Sequence, residues 1–336
     1  VPNIAKAYVL GMPIGYATPI AVSERSGQNL TNYAVGIPLT SSWDGWDIVK
    51  SDGSDIYFLD ENINPLYFWI ENFDYTNKRA IIWTNIPSLP ANSTKKIYLV
   101  YGAGNPYIGY RNPYNVFTFF DHFDESVLPS SWSKTMINYG TNNTVSSWST
   151  RVSSSLLTIT TTGGDIWIVS QFPFVYINTA LSSFAVRVKY QSDNMASLAT
   201  SWAKAGIVVA ASDLSYVAVF VRAYNYYLQI WEGYKGTSQI EYHGSGNINP
   251  PLYLELRFTP NLFKAYYSGD LYTWNLWKSW TPYHTSFPLI GLSAISHGSG
   301  TINADFDYIY IRPYVDPEPS VTIGSSVRLL RDLDTL

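Results

Sequence analysis

Helical periodicity is nearly absent from this chain, and that constrains its fold more than any other feature. Apolar residues do not recur at three- and four-residue spacings. Short alternating segments are instead cut off by Gly, Pro, Asn and Ser, the pattern of strands that bury one face. Candidate strands in the first half fall at 20–23, 33–38, 56–59, 66–71, 79–84 and 95–101. The second half offers 116–125, 156–160, 166–170, 184–190, 205–210, 217–224, 227–232, 252–258, 262–268, 289–294 and 304–312. The chain is therefore expected to be all-β, and its 336 residues suffice for two domains with their own cores.

Composition narrows the partners. Charged residues make up 14% and aromatics 16%, with 28 Tyr and 12 Trp. Tyr, Trp, Thr and Val suit a pleated, half-buried surface. A surface of few charges and many neutral polar groups can pack against copies of itself or against sugars. The net charge of -4 and pI near 5.6 oppose a nucleic-acid partner, which needs a basic stripe. The absence of Cys removes disulfides, Cys–zinc sites and thiol catalysis together. No apolar run reaches the roughly 18–20 residues of a membrane helix, so no transmembrane segment is expected. Sequons at Asn29, Asn92 and Asn142 fit glycosylation in an extracellular or cell-surface protein.

Residues 52–104 are the most specific stretch. The cadence DGSDIYFLD, then PLYFWIE, then AIIWTNIPSLPANSTKKIYLVYG resembles an uncharacterised family of extracellular β-domains found in archaeal and bacterial surface proteins. That family commonly precedes a concanavalin A-like lectin/glucanase sandwich. The second half resembles such a sandwich in order: FFDHFDE followed by Trp132, AGIVVAASDLSYVAVFV at 205–221, LELRFTPNLFKAYYSGDLYTW at 254–274, and ADFDYIYIRP at 304–313. Gly269-Asp270 inverts the usual Asp-Gly of the turn. The resemblance implies two β-sandwich domains, the second a concanavalin A-like jelly roll. The expected boundaries are an N-terminal extension at 1–14, a first sandwich at 15–104, a linker at 105–115, a jelly roll at 116–314 and a C-terminal extension at 315–336.

Candidate sites follow from residue chemistry. A retaining glycosidase needs two carboxylates roughly 5–5.5 Å apart. The Glu-x-Asp-x-(x)-Glu strand of the concanavalin A-like glucanases is absent, and the acids Glu232, Glu241, Glu255 and Asp270 are scattered. Glu241 and Glu255 lie on candidate neighbouring segments, which keeps a hydrolase or lyase as a second alternative. His122, His243, His284 and His297 sit in no triad context, so no catalytic residue is assigned.

Calcium wants clustered carboxylates. Asp121 and Asp124 near the start of the second domain, with Asp305 and Asp307 near its end, are candidate ligands of a structural calcium. Such a set is common in similar sandwiches, whose first and last strands sit side by side. Tyr224, Tyr226, Trp231, Trp274, Trp277 and Trp280 are candidate sugar platforms, because exposed rings stack on sugar faces. The segment carrying Ile4, Ala5, Ala7, Val9 and Leu10 could add to another subunit's sheet edge. The leading expectation is a non-enzymatic cell-surface or pilus-like filament subunit that joins copies of itself by this donated strand. The alternative is a carbohydrate-binding adhesion module whose partners are glycans.

Overall fold

In a computed structural model of the chain, residues 15–166, 169–198, 202–224, 227–235, 237–245 and 248–329 are described. Its regular secondary structure is almost all strand, and the chain divides into two compact units. One holds residues up to Thr118 together with those from Val315, and the other is Phe119–Tyr314.

The first unit opens with β1 (Tyr16–Ser23), β2 (Leu30–Leu39), β3 (Tyr57–Leu59), β4 (Pro65–Leu66), β5 (Phe68–Asp74), β6 (Arg79–Leu89) and β7 (Thr94–Tyr101). One antiparallel sheet runs β1-β7-β3-β4 and a second runs β2-β6-β5. Inward residues of both meet in one core around Trp46, Phe58, Phe68, Ile82 and Leu99. The expected strand at 66–71 divides here. Leu66 pairs with Phe58 in the first sheet, whereas Phe68 pairs with Thr84 in the second. The chain therefore changes sheets at Tyr67. The acidic turn before it is held by Asp60, whose Oδ1 accepts from the amides of Asn62 and Asn64 at 2.8 Å each. Residues 105–115, read from sequence as a linker, pack on this unit. The Asn105 side chain donates to the Ile56 carbonyl at 2.8 Å, the Asn112 amide to that of Phe68 at 2.9 Å, and Tyr107 and Tyr110 pack against the core.

The second unit contains β8 (Phe119–Asp121), β9 (Ser133–Asn138), β10 (Val145–Ser153), β11 (Leu156–Gly163) and β12 (Gln171–Asn178). It continues with β13 (Phe184–Asp193), β14 (Lys204–Ala210), β15 (Tyr216–Ala223), β16 (Tyr227–Tyr234) and β17 (Thr237–Ser245). It closes with β18 (Leu252–Thr259), β19 (Leu262–Ser268), β20 (Asn275–Trp280), β21 (Leu289–Ile295) and β22 (Thr301–Pro313). An eight-stranded sheet runs β10-β11-β22-β13-β18-β19-β20 with β8 also on β22, and a seven-stranded sheet runs β17-β16-β15-β14-β21-β12-β9. Val186, Leu254 and Phe258 from the first face Ile207, Phe220 and Leu292 from the second in a shared core.

The far face of the seven-stranded sheet is apolar too. Val208, Val219, Trp231 and Phe174 form a separate cluster with Ile166 and the partly buried Tyr139 and Leu214. Tyr139 donates its hydroxyl to the Leu214 carbonyl at 2.5 Å. Burial on both faces is why β14 reads KAGIVVA, buried at every position, and not as an alternating strand. No strand forms over the described residues of 166–170, and β12 begins at Gln171. In the Gly269-Asp270 turn the left-handed residue is Leu271 (φ 71°). Asp270 Oδ1 accepts from the amides of Tyr272 at 2.9 Å and Thr273 at 2.7 Å, so the carboxylate shapes the turn.

The chain then returns to the first unit as β23 (Ser320–Ile323) and β24 (Val327–Arg328), both antiparallel to β1. Ser326 locks this return. Its hydroxyl bonds Asp44 Oδ1 at 2.5 Å, Thr18 Oγ1 at 2.6 Å and the Tyr101 hydroxyl at 2.6 Å. The described part of the expected C-terminal extension is thus an edge of its own unit's sheet.

Candidate functional site

Strands β17 and β20 end their respective sheets, and a groove of about 700 Å³ opens between them, lined by Gln239, Glu241, Tyr242, Ser279, Trp280 and Tyr283. Trp280 forms the floor. It is 6% exposed, its ring stacks on Phe263 with centroids 4.7 Å apart, and its Nε1 donates to Glu232 Oε2 at 2.8 Å. The fully buried Glu232 also accepts at Oε1 from the amides of Tyr283 at 2.7 Å and His284 at 3.3 Å. Burial raises the Glu232 pKa above the ordinary value, although these donors oppose the rise. His284 stacks on Tyr216 at 4.8 Å. The loop is therefore fixed at its base while the Tyr283 ring stands 58% exposed over the groove. Tyr242, in the lining, has the Lys278 ammonium 4.8 Å from its ring centroid.

A second feature continues around β17. Glu241 pairs with His243. The His243 ring meets Trp202 edge-on at 6.1 Å, and Trp202 also meets His297 at 6.5 Å. His297 Nε2 lies 3.2 Å from Asp165 Oδ2, and Asp165 pairs through its other oxygen with the buried Lys204. Burial pushes the Asp165 carboxyl pKa up, but the hydrogen bond from His297 and the Lys204 charge outweigh it and hold it below the ordinary value. Trp202, 43% exposed, is thus an aromatic platform between two imidazoles, each oriented by a carboxylate.

Of the expected sugar platforms, Trp280 floors the groove. Trp231 is wholly buried. Trp277 stacks on Phe220 at 6.0 Å, and the half-buried Tyr224 packs against the core. Trp274 lies under the Arg187 guanidinium, 4.2 Å away, and donates Nε1 to the Leu271 carbonyl. Tyr226 lies outside the described residues, as do Ile4, Ala5, Ala7, Val9 and Leu10. Trp202, Tyr242 and Tyr283 were not anticipated. The one sequence signal available for Tyr283 was its position just after Pro282 in a polar stretch.

Strand β8 does pair with β22, placing Asp121 opposite Ile309, but the acids there do not fit a calcium site. Asp121 accepts from the Phe123 amide and Trp132 Nε1 at 2.7 Å each, and burial raises its pKa. Asp305 accepts from Thr158 at 2.7 Å and Ser192 at 2.6 Å. Asp307 pairs with Lys189 at 2.5 Å, and Asp124 lies 3.5 Å from His122. The oxygens of Asp121 and Asp305 already serve protein donors, and a lysine beside Asp307 opposes a dication. Among the described residues no group of three or more His, Asp or Glu side chains is placed to hold a metal ion.

Glu241 and Glu255, expected on neighbouring segments, stand in different sheets. Glu241 lies on an edge, whereas Glu255 is buried among Arg187, Arg257 and Arg312. Asn29, Asn92 and Asn142 are all exposed.

A family model described as "Domain of unknown function (DUF2341)" matches residues 52–150, overlapping the stretch on which the sequence resemblance rests. This fits an uncharacterised β-domain. No curated protein matches the chain. Among solved structures, the chain is similar to the GH43 protein BlXynB from Bacillus licheniformis, at 18% identity and a TM-score of 0.46, covering 90% of this chain and 65% of that one. The chain thus spans just under two thirds of that protein's length. It is also similar to a functionally unknown protein from Saccharomyces cerevisiae, at 18% identity and a TM-score of 0.43, covering 54% of this chain and 97% of that one. A third is the exoplasmic/lumenal domain of VIP36 in its Ca2+/Man3GlcNAc-bound form, at 10% identity and a TM-score of 0.38, covering 57% of this chain and 94% of that one. No helix among the described residues is long and apolar enough to cross a membrane.

Proposed function

We propose that the chain is a carbohydrate-binding module of an extracellular or cell-surface protein, its second unit a concanavalin A-like jelly roll. The observation that carries this reading is the groove between β17 and β20, where the exposed Tyr283 ring stands beside fixed polar groups. An aromatic face takes the C–H face of a sugar, and flanking carboxylate, ammonium and hydroxyl groups take its hydroxyls. Glu241 and Lys278 balance in charge, which suits a neutral glycan. Edge strands bound the groove on both sides, so an extended polysaccharide can run along it.

The filament reading has less to stand on. Its donor segment lies outside the described residues, and residues 315–329 serve their own unit. Hydrolysis lacks a facing carboxylate pair in Glu241 and Glu255. A glycan array probed with the full chain tests the proposal. Retention by at least one neutral glycan is expected, weakened about tenfold by Tyr283→Ala, the worth of one stacked ring. A blank array, or binding indifferent to both Tyr283→Ala and Tyr242→Ala, would reject the groove.

A further inference from the structure

Lys204 is a buried amine in direct contact with a carboxylate. It sits on β14, where register sets it between Ile295 of β21 and Ala223 of β15. Its Nζ bonds Asp165 Oδ1, and the two side chains are 1% and 3% exposed. Backbone bonds hold the carboxylate's end of the pair in place. The Asp165 amide donates to the Gln171 carbonyl and the Gly164 amide to that of Thr144, at 2.9 Å each. Ile166, next in the chain, and Ile295 belong to the outer apolar cluster. The buried pairs Arg187–Glu255 and Arg222–Asp193 set a guanidinium on the acid, and a guanidinium keeps its proton in a protein. Lys189–Asp307 has the chemistry but is a quarter exposed to water. Lys204–Asp165 joins a sealed carboxyl to a sealed nitrogen that can become a nucleophile.

We infer that Lys204 and Asp165 condense into an amide, an internal cross-link between β14 and the segment before β12, with His297 as the general acid. The step balances within the site. Nζ attacks Cγ, the Nζ–Cγ bond forms and the Cγ–Oδ2 bond breaks. The ammonium gives up two protons, Oδ2 leaves as water, and the ion pair becomes a neutral amide. Nothing is oxidised or reduced. His297 Nε2 lies 3.2 Å from Oδ2, within reach to protonate the departing oxygen, and the imidazole then recovers a proton released by the amine. The neighbours that hold Asp165 as a carboxylate thus supply the protons that neutralise it. The His297 side chain is 27% exposed, which gives the water a way out. Burying two charges costs more than burying one amide, and water is scarce where both reacting groups are sealed. Strand and backbone bonds fix both partners, so the attack starts from contact. The two residues are 39 apart in the chain, so the bond closes a long loop. It is independent of glycan binding.

Mass spectrometry of the full chain, unfolded in denaturant, tests this. The parent should weigh one water less than its sequence. A tryptic digest should leave the peptide bond after Lys204 uncut and show residues 152–187 joined to residues 190–222. Lys204→Arg and Asp165→Ala should each restore the full sequence mass. His297→Gln keeps a hydrogen-bonding group near Oδ2 but has no acidic proton to give, and should slow the loss of water after synthesis about a hundredfold. A parent at full sequence mass overturns the inference. So does a missing water that the digest places elsewhere, or one that survives Lys204→Arg. A His297→Gln chain that loses water at the parent's rate overturns the role given to His297.

Discussion

Glu24 closes the turn after β1. Its carboxylate takes the Ser26 hydroxyl and amide at 2.5 Å each and the amides of Gly27 and Asn92 at 2.9 Å each. Burial pushes its pKa up, yet these four donors outweigh burial and hold it at about 2, below the ordinary 4.5. A carboxyl lowered on folding stabilises the fold above its unfolded pKa, and the gain is lost as pH falls through the folded value. The Tm gap between the parent and Glu24→Gln should therefore be fully open above pH 4.5 and close toward pH about 2. Thermal melts across that range check this, and a gap constant with pH would refute it. Glu232 is the counterpart in the second unit. Every partner in its three hydrogen bonds is an N–H donor, so Glu232→Gln turns an amide donor toward at least one of them. Urea unfolding should show a loss of about 1–3 kcal/mol, with the Tyr283 loop released.

At the scale of the element, Glu255 binds three neighbouring strands. From β18 it pairs with Arg187 of β13 at 2.5 Å, with Arg257 of its own strand, and with Arg312 of β22 at 3.9 Å. Burial raises its pKa, and the three guanidiniums overcome that and hold it far below the ordinary value. Glu255→Leu strands buried cations and should cost about 3–5 kcal/mol in urea unfolding. A near-neutral effect would mean the arginines are satisfied without it. The return strands make a parallel case. A chain ended at Tyr314 leaves the β1 edge without β23 and β24 and removes Ser326 from Asp44, Thr18 and Tyr101. Calorimetry should show a lower Tm for the first unit, with aggregation through the bared edge. An unchanged Tm would show that the edge strands add nothing.

Strands with a buried face were legible in the sequence: β2, β6, β15 and β18 lie where β-branched and aromatic residues alternate or run together. Strands β9, β10, β17 and β20 were not. Segments such as VSSWSTRVS and TSQIEYHGS are rich in Ser and Thr and largely unburied, so no apolar period marks them. The groove lies between two of these strands, which is why its tyrosines escaped notice while core tryptophans drew it. Trp231 and Trp277 look like platforms in sequence because ring chemistry alone does not reveal burial.

For the whole molecule, the first unit is built from both ends of the described chain, and the second from one continuous segment carrying the groove and the Trp202 platform. Covalent footprinting of the full chain, with and without a glycan that it retains, tests the central claim most directly. The account predicts protection at Tyr242 and Tyr283 along the groove. Protection confined to the first unit, or none in the second, would contradict it.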